Sequence, residues 1–169
     1  LKEQLKFRNA PLAPFDTHVS SHVCWPWDLD LWMELNNGRT LTLFDLGRMP
    51  LTSRTGVIEA LVKKRGGMTV AGSTVRYRRR VRMFRKVEMR SRMLGWDARF
   101  FYVEQSMWRK GEALNHVLVR VAATDQNGIL PPERFVAGSR FAGTPSPELP
   151  DWVQAWIAAD AQRPWPPQS

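Results

Sequence analysis

A chain of 169 residues, 43% hydrophobic, is long enough for one domain with its own core and too apolar to be disordered over most of its length. Its net charge of +9 is local: nine basic side chains and one acid fall between residues 76 and 92, and the rest is close to neutral. No apolar run approaches the length that spans a bilayer, and the single cysteine, Cys24, excludes an internal disulfide framework and fits a reducing, cytoplasmic compartment.

Residues 1–16, with Pro11 and Pro14, are expected to form an extended N-terminal arm, and a first residue that is Leu rather than Met leaves a preceding targeting segment open. From Thr17 to Pro26 the residues alternate as in a strand, and Cys24 within it reads as a small buried residue rather than a nucleophile. The acidic loop Asp28-Leu29-Asp30 follows. A helix is then predicted from Asn36 or Asn37, with Leu41, Leu43, Phe44, Leu46, Arg48 and Leu51 at helical spacing. Pro50 should end or kink it near Met49. Residues 56–65 read as a second helical piece stopped by Gly66-Gly67.

Beyond that the period falls to two. Strands are expected over 68–81, 86–94, 98–108 and 113–124, separated by turns at 95–97, 109–112 and 125–128. One strand, a long helix and four consecutive antiparallel strands make an α+β order, a curved four- or five-stranded sheet wrapping one helix. The domain is expected over 17–128, and 129–169 as a Pro-rich C-terminal extension with a short helix over 151–161.

The chemistry gathers around the first helix. Asp28 and Asp30 stand a short loop away from a helix start capped by Asn36. Such a start offers unpaired N–H donors and partial positive charge. If Asn36 takes the N–H of Gly38 or Arg39, the N–H of Asn37 is left for a carbonyl or developing oxyanion. Asp28, Asp30 and Asn36 also read as ordinary turn and cap residues. Glu34 reads as a second acid raising the pKa of Asp30, or, in the favoured reading, as an exposed charge. Trp25, Trp27 and Trp32 could line an acyl pocket or serve as core or interface anchors. His18 and His22 would stand too far apart on one strand to share a metal ion, and no nucleophile elbow, phosphate-binding glycine loop or cysteine pair is present.

Three stretches carry a resemblance: Asp28-Leu29-Asp30 through Asn36-Asn37-Gly38-Arg39 to Phe44–Arg48; Val70–Thr74 before the arginine-rich segment; and Leu94-Gly95-Trp96-Asp97 with Phe101-Tyr102-Val103-Glu104-Gln105. In that order they resemble the D-x-D-x-x-x-H-x-N-N-x-x-Y and G-W-D-x-x-F-Y-x-E-Q stretches of hotdog-fold acyl-CoA thioesterases, the 4-hydroxybenzoyl-CoA-thioesterase-like group with its THEM-type subgroup. The resemblance implies a curved antiparallel sheet around a long central helix, and hydrolysis of acyl-CoA to free acid and coenzyme A. It implies Asp30 as nucleophile or general base, the Asn37 N–H on the thioester carbonyl, and a site built between subunits of a homodimer or dimer of dimers. No metal or redox cofactor is implied, and coenzyme A enters as part of the substrate. Two positions depart from the pattern: Glu34 stands at the histidine and Thr40 at the aromatic residue.

The arginines have two readings. Arg76, Arg78, Arg79, Arg80, Arg82 and Arg85 suit the phosphates of coenzyme A, with Arg78, Arg80 and Arg82 the first candidates alongside Asn36 and Trp32. Alternatively they solvate a sheet face and discourage edge pairing. Two rivals remain. One is a non-catalytic acyl-CoA binder, favoured by Glu34. The other, ranked lower, is a nucleic-acid binder using the arginine strands, which lack the aromatic triplets of a single-strand platform. No membrane partner is expected.

Overall fold

The computed structural model describes residues 11–167. Strand β1 (His18–Val23) leads through the acidic loop to helix α1 (Asn37–Arg54) and the shorter α2 (Val57–Lys64). Strands β2 (Gly67–Tyr77), β3 (Lys86–Trp96), β4 (Phe101–Arg109), β5 (Glu112–Asp125) and β6 (Gly128–Leu130) follow, then helices α3 (Pro132–Ala137) and α4 (Asp151–Ala161). Among the described residues the strands form one six-stranded antiparallel sheet, ordered β1-β3-β4-β5-β2 with β6 beside β5. The expected α+β hotdog architecture is present. The sheet has six strands rather than four or five, and β2 pairs with β5 instead of its neighbour in sequence, so β1 covers the edge of β3.

Alternation sets the two faces of the sheet. Phe101, Val103, Gln105 and Met107 of β4 and Val117, Val119, Val121 and Ala123 of β5 face α1 and are buried. Tyr102 and Leu118 point to the other face, where α4 covers them with Val153, Trp156 and Ile157. Arg120 on that face pairs with Asp160 of α4 at 2.7 Å, its guanidinium lying over the rings of Phe100 and Trp156. At the other end, Leu12 of the N-terminal arm donates its N–H to the Arg54 carbonyl at 3.0 Å. Residues 1–10 of that arm lie outside the described residues.

Several expected boundaries move, each for a local reason. Pro50 does not end α1, which continues to Arg54. The turn beyond it is kept by burial of Leu51 and Thr55 and by the Thr55 N–H and hydroxyl on the Leu51 carbonyl, which offset the lost bond of a helical proline. The buried stripe of α1 is Thr40, Leu43, Phe44, Gly47 and Leu51, whereas Leu41 and Leu46 face outward. Strand β2 stops at Tyr77, not Val81, because the N–H groups of Arg78 and Arg79 both turn to the Leu114 carbonyl. Strand β4 begins at Phe101, not Ala98, because the Asp97 carboxylate claims the N–H groups of Arg99 and Phe100 at 2.7 Å each.

The turn expected at 95–97 falls instead at 97–100, with Gly95 and Trp96 still paired in β3 opposite Tyr102 and Phe101. Asp97 caps the β3–β4 turn and accepts the Tyr102 hydroxyl at 2.6 Å. Gly95 has φ +152°, and a Cβ there would lie 2.7 Å from the Ser146 Oγ that bonds Trp96.

Candidate active site at the start of the central helix

Asn36 caps α1 as its side chain predicts: Oδ1 accepts from Gly38 N–H at 2.8 Å and Arg39 N–H at 3.2 Å. The Asn37 N–H stays outside the cap at the positive end of an 18-residue helix. Tyr77 of β2 reaches the same point, its hydroxyl donating to the Asn37 carbonyl at 3.4 Å. Burial pushes the Tyr77 phenol up, so it remains a neutral donor at ordinary pH.

The two aspartates have separate roles. Asp28 is 1% exposed. Its Oδ1 takes Arg39 Nε at 2.9 Å and Nη2 at 2.7 Å, and its Oδ2 takes the Trp25 N–H at 2.9 Å. Its carbonyl accepts from Asn36, so Asp28 fixes the loop against the helix start. Asp30 is half-buried and turns the chain: Oδ1 accepts from the N–H groups of Trp32 at 2.8 Å and Glu34 at 3.4 Å. One carboxylate oxygen is thus held while the other has no hydrogen-bond partner among the described residues.

A cleft of about 200 Å³ opens at the helix start, lined by Glu34, Asn37, Tyr77, Arg78, Arg80 and Asn115 among others. Glu34 and Asn37 come together there with Arg78 and Arg80, whereas Asp30, Trp32 and Arg82 are not in its wall. The Glu34 Oε2 lies 2.8 Å from Arg80 Nε, an ion pair off the axis of a hydrogen bond. The backbones of Glu34 and Arg82 form an isolated bridge. Trp32 is 80% exposed, and Trp25 and Trp27 stack on each other at 5.5 Å near the surface. Cys24 is buried, and burial first, then the Asp28 charge, pushes its thiol up, against a nucleophilic role.

Asn115 is a residue the sequence reading missed. It is buried, and its Oδ1 has no hydrogen-bond partner among the described residues. The signal was available: Asn115 holds the core-facing phase of β5, where Val117, Val119 and Val121 continue the series. Gln105 breaks the same phase in β4. Its amide donates to the Phe44 carbonyl at 2.7 Å and Ser91 Oγ at 2.8 Å, and it accepts from Arg48 at 2.5 Å, tying α1 to the sheet. A second, apolar cavity of about 430 Å³ lies beneath the far half of α1, walled by Leu51, Ile58, Met93, Phe101, Val121 and Phe135 among others, with Asp45 and Arg48 at its rim.

Comparison with known proteins bears on the family and the fold. The chain is 33% identical over 156 residues to Protein THEM6 of Xenopus laevis, covering 90% of this chain and 74% of the relative. It is 27% identical to Protein THEM6 of Drosophila melanogaster, covering 85% and 74%. The fold superposes on the YbaW probable thioesterase of Escherichia coli with a TM-score of 0.68 at 14% identity, covering 73% of this chain and 96% of that one. The DHNA-CoA thioesterase of Staphylococcus aureus gives 0.60 at 15% identity, covering 86% and 91%. The pattern of the thioesterase-like superfamily matches residues 24–157, the span that contains the acidic loop, the capped helix and strands β2 to β6, and the chain belongs to that superfamily.

Proposed function

We propose that the protein hydrolyses acyl-CoA thioesters, with water as the second substrate and coenzyme A as the leaving thiol. The observation that carries this reading is the Asn36 cap, which takes the N–H groups of Gly38 and Arg39 and leaves out that of Asn37, a residue in the wall of the cleft. A thioester oxygen held there would meet a backbone donor and the helix dipole as charge develops on it. Asp30, with one oxygen held by its own turn, supplies the carboxylate that activates water or attacks the carbonyl. Because Asp30 lies outside the cleft of its own chain, it serves a site completed by a second copy. Neither step asks for a resident cofactor.

The rival is a binder without turnover. The Glu34–Arg80 pair favours it, since it neutralises the acid that stands at the family's histidine position. Free-thiol release from short, long and aryl acyl-CoA esters separates the two. Asp30→Asn should lower turnover by about a hundredfold or more while acyl-CoA still binds. Equal turnover in this variant would remove Asp30 from the mechanism, and no thiol release from any ester would leave the binder.

A further inference from the structure

Next to the helix-start cleft, and sharing Arg79, Arg80 and Val81 with it, is a second cleft of about 260 Å³. Its wall adds Arg82 and Arg85 from the β2–β3 connection, Arg109 from the end of β4, and Glu112 and Leu114 from the start of β5, the one acid in it being held by Arg79. The arginines differ in one respect. Arg79 pairs with Glu112 at 2.6 Å and Arg80 with Glu34 at 2.8 Å, but Arg82, Arg85 and Arg109 have no acidic partner among the described residues. Three uncompensated guanidinium groups therefore border one concave space.

Their setting is built. The connection over residues 78–85 is held by backbone hydrogen bonds along its length. Arg78 and Arg79 donate to the Leu114 carbonyl, the Val81 carbonyl accepts from Leu35, Phe84 donates to Cys24 at 2.7 Å, and the Arg85 carbonyl accepts from Cys24 at 3.1 Å. Val81 is buried as an anchor between them. A merely solvated charge run needs no such fixing, and holding like charges together has an electrostatic cost that an anion would relieve. Guanidinium forks match the oxygens of a phosphomonoester, which carries close to two negative charges at neutral pH.

We propose that the cleft bounded by Arg82, Arg85 and Arg109 receives the ribose 3′-phosphate of coenzyme A while the thioester lies in the adjoining cleft at the helix start. This assignment rests on the acyl-CoA reading and sharpens it: Arg82 is kept from the first candidates, Arg78 and Arg80 are set aside for this role, and Arg85 and Arg109 are added.

The test compares coenzyme A with dephospho-coenzyme A, which lacks only that phosphate, by calorimetric titration of the full chain. Wild type should bind coenzyme A about tenfold or more tightly than the dephospho form. The preference should fall below about threefold in the combined Arg82→Ala, Arg85→Ala, Arg109→Ala variant and persist in Arg134→Ala, an exposed position outside both clefts. Equal wild-type affinities, binding of neither compound, or a preference that survives the triple variant overturns the assignment; the wild-type comparison stands even if the triple variant fails to fold. Tighter retention of a mixed oligonucleotide or of anionic vesicles than of coenzyme A would also overturn it. Thiol release without phosphate discrimination would defeat this cleft alone, whereas discrimination without thiol release would defeat hydrolysis alone.

Discussion

Asp28 and Asp30 stand two residues apart and answer different demands. The Asp28 carboxylate is enclosed and satisfied by Arg39 and the Trp25 N–H, so its removal leaves a guanidinium and a backbone donor without their acceptor. Because Arg39 is 40% exposed and can recover water, Asp28→Ala should cost about 2–3 kcal/mol, below the range for a fully buried pair. Asp30→Asn should leave stability within about 0.5 kcal/mol, since an amide oxygen can still accept the Trp32 N–H. Urea denaturation of both variants checks the split, and equal losses would mean that both residues are structural. His18 carries the clearest pH signature. Burial first, then the Arg54 guanidinium and His22, push its imidazole down to about 4. In the unfolded chain it titrates near 6.5, so between these values the unfolded state binds a proton that the native state refuses. Its contribution is complete above pH 6.5, falls as pH drops through that window and levels below 4, a loss of up to about 3 kcal/mol. His18→Gln should remove this part of the slope; identical pH dependence of urea stability in variant and wild type would count against it.

At the scale of elements, the closest joint is between α1 and β3. A Cβ on Gly47 would lie 2.0 Å from the Met89 sulfur, which is itself fully buried, with the Gln105 amide 3.9 Å away. Gly47→Ala should therefore destabilise by about 1–3 kcal/mol despite alanine's better helix propensity. In a Met89→Ala background the same change should cost far less, a coupling that a double-mutant cycle in urea would read; strict additivity would show that the contact is not the cause. Such joints mark the limit of what the sequence reveals. Elements separated by periodicity and turn chemistry were legible: β1, the capped start of α1, the turns at Lys110-Gly111 and Asp125–Gly128, and the α4 helix. Strand order was not, because the pairing of β2 with β5 depends on how residues 78–85 cross the structure, and no local signal carries that. The end of α1 was misread because tertiary burial of Leu51 outweighs the local cost of Pro50. At the candidate site, the Asn36 cap was legible from local chemistry alone. The Glu34–Arg80 pair, the distance of Asp30 from the cleft, and Asn115 came only with the fold, since each joins residues far apart in the chain or depends on which way a loop turns.

For the whole molecule, the longer of the two sheet edges left unpaired among the described residues is β2. It spans 11 residues and pairs on one side with β5 alone among the described residues, leaving a long ladder of backbone donors and acceptors on the other. The devices that usually blunt such an edge are weak here: Thr69, Val70, Ala71 and Ser73 are exposed, uncharged and free of proline. The arginines gather only at and beyond its far end. The same strand delivers Tyr77 to the helix start, so a copy paired along β2 would lie beside the candidate site. A two-fold pairing of β2 with β2 satisfies both edges at once, as a closed symmetric interface does. Light scattering should accordingly give twice the mass of one chain. Ala71→Lys with Ser73→Lys, which places four like charges along the paired edge, should shift the species toward a single chain and lower thiol release together with the mass. If wild type runs as one chain and still releases thiol at full rate, each copy's Asp30 and Asn37 must be reaching the substrate unaided. The site would then have to be sought within a single subunit.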